Sequence, residues 1–88
     1  MDFFNRIVFI AAALDLLGIP NTINPLYDGW QLRFPWCEGD IACHSHTYGA
    51  AKGDVESYQF SWDDGDVTQL TPEEATFLIL REWSTRGE

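Results

Sequence analysis

Both cysteines and both histidines of this chain fall within ten residues, at Cys37, Cys43, His44 and His46. Two thiols and two imidazoles are the donor set of a structural zinc site, in which four ligands close a tetrahedron and leave no position for chemistry. Such an ion would hold the fold rather than catalyse, contributing on the order of 10 kcal/mol at neutral pH. A turn at Glu38-Gly39 would bring Cys37 back towards Cys43, and a bend after Cys43 would swing His44 or His46 to the same side. A chain that stays extended there would send Cys43 and His44 to opposite faces. One histidine would then be a spectator, with Asp40 or Asp63 completing the shell. The spacing is not that of a zinc finger. The thiols also suit two other roles, as small buried hydrophobes or as a disulfide across a hairpin, and the histidines suit an exposed surface.

Around this cluster the chain repeats itself. Phe34-Pro35-Trp36-Cys37-Glu38-Gly39-Asp40-Ile41 returns as Phe60-Ser61-Trp62-Asp63-Asp64-Gly65-Asp66-Val67. Each copy reads as a strand end, an aromatic plug and a tight turn, with glycine supplying a positive φ and carboxylates accepting the turn's own N–H groups. Asp63, Asp64 and Asp66, with Asp54 and Glu56 before them, are the carboxylates best placed to meet a basic partner. The run Asp63–Asp66 lacks the alternating oxygens and distant bidentate glutamate of a calcium-binding EF-hand loop. No Ser–His–Asp pattern and no phosphate loop is present, so the expectation is a protein that is not an enzyme.

The elements that must position these residues follow from composition and periodicity. Eighty-eight residues make a single domain, 1–88, and 45% hydrophobic content with four Trp argues for a packed core. Five basic residues against fourteen acidic ones give a net charge of −9. Between residues 34 and 80 the only base is Lys52, against nine carboxylates. A surface so charged repels nucleic acid and anionic membranes and attracts basic protein surfaces, while also serving solubility. The longest apolar run, residues 7–14, is too short to span a bilayer. Asp2 stands where a signal peptide would be basic, so the expectation is a cytoplasmic protein with reduced thiols.

Phe3, Ile7, Ile10, Leu14 and Leu17 recur at helical spacing behind an Asp2 cap, predicting a helix over residues 3–17 that Gly18, Ile19 and Pro20 stop. Its apolar surface exceeds one stripe, which also suits a homodimer through this helix. Asp28-Gly29 predicts a two-residue hairpin turn between strands at 22–27 and 30–34. Residues 41–45 and 55–60 supply further strands, the latter with Tyr58 and Phe60 on the core side, and 67–69 suits one short strand more. Thr71, Pro72 and Glu74 form a capping box that opens a terminal helix. The predicted order is α-β-β-β-β-α: an α+β fold with a small antiparallel sheet of three to four strands and helices at both ends.

With these residues in view, the two copies of the Phe-x-Trp turn, together with Leu70-Thr71-Pro72-Glu73-Glu74, resemble small acidic proteins carried by phages and prophages of Gram-positive bacteria. In size, charge and Cys/His content the chain is most similar to the zinc-containing anti-CRISPR proteins of the type II-A group. The similarity spans roughly residues 30–83. It implies direct binding to a type II RNA-guided DNA nuclease, whose positively charged channel holds the guide–target heteroduplex. Occupying that channel would block nucleic-acid loading or cleavage in the bacterial host's cytoplasm. The alternative is an accessory phage protein or small binding module with no inhibitory role, acidic for solubility only.

Overall fold

Apolar residues at helical spacing give α1 (Phe3–Leu16) a buried stripe of Ile7, Ile10, Ala11 and Leu14. The computed structural model describes residues 3–58 and 67–86, so the Asp2 cap and the second copy of the turn through Asp66 lie outside it. The helix stops as its sequence predicts. Gly18 adopts a φ of 75°. The Ile19 N–H reaches back to the Leu14 carbonyl at 2.9 Å and the Gly18 N–H to Asp15 at 3.1 Å, a Schellman pair.

Five strands follow: β1 (Thr22–Leu26), β2 (Gly29–Arg33), β3 (Asp40–Cys43), β4 (Val55–Tyr58) and β5 (Val67–Leu70). They form one antiparallel sheet in chain order, β1-β2-β3-β4-β5. Sequence reasoning anticipated α+β with three to four strands; the short segment at 67 completes a fifth. A short 3₁₀ turn, Ala50–Lys52, separates β3 from β4, flanked by Gly49 and Gly53, both at positive φ. The chain closes with α2 (Pro72–Arg86). Its capping box is formed in both directions, Glu74 N–H to Thr71 Oγ1 at 3.1 Å and Thr71 N–H to Glu74 Oε1 at 2.9 Å.

Both helices pack on the same face of the sheet and on each other, α1 over β1 to β3 and α2 over β4 and β5. The core between the layers is built from Ile7, Ile10 and Leu14 of α1, Leu32, Ile41, Cys43 and Val55 of the strands, and Ala75 and Ile79 of α2. The first Phe-x-Trp copy is a plug at the edge of this core. Phe34 is buried, Trp36 stacks against it at 5.2 Å and against Trp83 at 5.1 Å, and the Trp36 indole N–H is donated to the Pro20 carbonyl at 2.9 Å.

Two local expectations are corrected. Leu26 pairs with Gly29, so the first hairpin turns on Tyr27-Asp28 rather than Asp28-Gly29. Gly29 serves close approach instead: a Cβ there would collide with the Cys43 carbonyl oxygen and stand 2.7 Å from the His44 Cα. The positive φ falls on Tyr27, at 55°. In β4, Val55 and Ser57 face the helices, and Tyr58 lies on the other face. Period-two alternation fixed the pairing of side chains but not which set points inward, because β4 carries bulk on both sides.

Candidate functional site

The face of the sheet away from the helices begins with alternating polar side chains. Gln31 pairs with Ala42 and Ala42 with Glu56; Arg33 pairs with Asp40 and Asp40 with Tyr58. Past β3 the chain folds over the end of this face. Thr47 holds the bend, donating its hydroxyl to the His44 carbonyl at 2.8 Å and accepting from the His44 N–H at 3.3 Å. The Ser45 N–H is donated to Asp28 Oδ1 at 3.0 Å, tying the bend to the β1–β2 turn. That bond, with a second from the Ser45 side chain, holds the exposed Asp28 carboxyl below the usual carboxylate range.

These links gather an aromatic and imidazole cluster. The ring of Tyr27 lies edge-on to His44 at 4.9 Å and to His46 at 6.4 Å, and the two imidazoles are 5.9 Å apart. A hollow of about 630 Å³ opens beside them, with Gln31, Asp40 and Tyr58 as its other polar lining. The Gln31 amide N–H is donated to Asp40 Oδ2 at 2.9 Å. His44 Nδ1 accepts the His46 backbone N–H at 3.2 Å, so the neutral His44 imidazole carries its proton on Nε2.

The structure does not bring all four residues of the expected zinc shell to one side of the sheet. Cys43 sits at the far end of β3, opposite Trp30, while Cys37 precedes the near end, where Asp40 pairs with Arg33. The rise from Asp40 to Cys43 along β3 is roughly 10 Å. Cys43 is buried under α1, and His44 faces the other side of the sheet, as an extended chain requires. Among the described residues no group of three or more His, Cys, Asp or Glu side chains is arranged to hold a metal ion. Both thiols are free and pushed up by burial, Cys37 also by Glu82 and Glu38, against the lowering pull of Arg86.

The expected partner-binding carboxylates divide. Asp63, Asp64 and Asp66 lie outside the described residues. Asp54 is half-exposed beside Gly49. Glu56 is buried, and its carboxylate accepts the Tyr48 N–H at 2.8 Å and the Tyr58 hydroxyl. It braces the loop over β4.

Sequence reasoning missed two features. Arg6, a lone base on an apolar helix, donates to the Ala50 carbonyl at 2.6 Å and to Cys43 Sγ at 3.2 Å. A cation on such a helix needs acceptors from elsewhere in the fold, and that was the available signal. The Tyr27–His44–His46 cluster had none, since it depends on a hairpin turn and a bend meeting across seventeen residues.

No protein-family model, curated protein or solved structure matches this chain. No helix among the described residues is long and apolar enough to cross a membrane.

Proposed function

We propose that this chain is a binding domain, not an enzyme, which docks on a cationic protein surface, and that its partner is a type II RNA-guided DNA nuclease that it inhibits in the bacterial cytoplasm. The observation that carries the first part is how the charge is distributed. Five bases stand against fourteen carboxylates, and between residues 34 and 80 Lys52 is the only base against nine carboxylates. So large an excess of negative charge favours basic proteins and disfavours nucleic acid. The nuclease is supported by the resemblance of the Phe-x-Trp turns and by the fit of an acidic 10 kDa domain to a positively charged channel.

The test is direct. The purified protein is mixed with the nuclease, with and without guide RNA, and followed by co-elution and by target cleavage. Complex formation with loss of cleavage is expected; cleavage at the normal rate with no complex would remove the nuclease as partner. A second reading, self-association through the helical layer, is favoured by exposed Phe9 (47%), Leu16 (90%) and Phe77 (74%). A solution mass that stays monomeric at every concentration would dismiss it.

A further inference from the structure

We infer that the hollow beside Tyr27, His44 and His46 receives a cationic side chain, arginine or lysine, projecting from a protein partner. The inference rests on the acidic-docking function proposed above and names the place where docking is anchored.

Three independent observations meet there. The first is strain. Tyr27 holds a φ of 55°, a region that a bulky side chain rarely adopts, yet it is 80% exposed, so no core packing explains the choice of residue. Glycine would suit the turn better, and strain retained at an exposed position marks function more often than fold. The second is the wall chemistry. Tyr27, His44 and Tyr58 line one cavity, and aromatic rings attract cations. The third is charge. The lining among the described residues carries Asp40 and, apart from the imidazoles of His44 and His46, no basic side chain, while the Asp28 carboxylate, favoured in its ionised form by the Ser45 N–H, is close enough to His46 to feel its charge.

Among the described residues this face also carries Glu56, whose carboxylate accepts the Tyr48 N–H and the Tyr58 hydroxyl. Arg33 stands opposite Asp40, at the end of β2 remote from Tyr27. Lys52 lines an adjoining hollow of about 410 Å³ on the other side of His46, where Tyr48 and the 3₁₀ turn form the walls. That second hollow carries its own cation and does not suit another. An arginine side chain suits the first one well, because a planar guanidinium can stack on an aromatic ring and still direct N–H groups to a carboxylate.

The probe is a ten-residue Arg/Gly peptide, compared with the same peptide carrying citrulline, which keeps the shape and loses the charge. Each is titrated into the full chain at low salt and followed by amide resonances. The arginine peptide is expected to shift Tyr27, Gln31, His44 and His46, and the citrulline peptide to leave them in place. Tyr27→Gly should weaken the arginine peptide about 10-fold with no fall in melting temperature, which a merely structural tyrosine would not do. Arginine-peptide binding that shifts only residues remote from the hollow would overturn this inference while leaving acidic docking intact. Equal shifts from the citrulline peptide would overturn it too. An arginine peptide that does not bind anywhere would overturn both.

Discussion

The two faces of the sheet differ in what they are built to do. The helix-covered face carries Leu32, Ile41, Cys43 and Val55, all fully buried, and is closed by ten or more apolar neighbours from both helices and the strands. The other face carries Gln31, Arg33, Asp40, Glu56, Tyr58 and His44, with the loop after β3 folded over one end. On the covered face each side chain is explained by packing. On the open face Tyr27 is strained and exposed, and its ring meets the imidazoles of His44 and His46 rather than the core.

Substitutions should separate the two faces. The largest effect is expected at Ile41, buried at the centre of β3; Ile41→Ala should cost about 3 kcal/mol in chemical denaturation through the cavity it leaves. Gly29→Ala should cost a comparable amount, roughly 2–3 kcal/mol, because the new Cβ meets the backbone of β3 and not a movable side chain. An unchanged midpoint in either variant would contradict the strand arrangement. Arg6→Met keeps the apolar stem and removes the link from α1 to the loop, for an expected loss of about 1.5–3 kcal/mol. Thr71→Ala removes half of a capping box, worth about 1 kcal/mol.

On the open face the sign reverses. Tyr27→Gly should leave stability unchanged or raise it by up to about 1 kcal/mol while binding falls. A clear fall in the melting temperature would show that the tyrosine serves the fold.

The cysteines extend the contrast to pH. Burial raises both thiols, so above the ordinary thiol range the unfolded chain loses protons that the folded chain keeps. Stability should therefore be insensitive to thiol ionisation at neutral pH and decline as pH rises into the alkaline range, and Cys43→Ala should flatten that decline. Treatment with a chelator should leave the melting temperature in place, since Cys43 and His44 lie on opposite faces of the sheet. A large drop would restore the zinc shell and contradict that placement.

How much of this was legible beforehand depended on how local the cause was. α1, its Gly18 stop, and the Thr71–Glu74 cap were readable because each is set by residues within a turn or two of one another. The Phe34–Trp36 plug was readable from the repeat. The direction of β4 was not, since Val55 and Tyr58 offer bulk to either side and Glu56 finds its partners only once Tyr48 has folded back. Clustering of Cys37, Cys43, His44 and His46 in sequence suggested one site, but an extended strand separates neighbours to opposite faces, and proximity in the chain became distance in the fold. The hollow at Tyr27 arises only when Asp28 and Ser45 meet.

The central claim, that an acidic protein surface engages a cationic partner, is tested most directly by measuring affinity for the nuclease at about 50 mM and about 500 mM salt. Charge-led docking predicts a loss of at least about tenfold across that range. An affinity that is the same at both concentrations would contradict it.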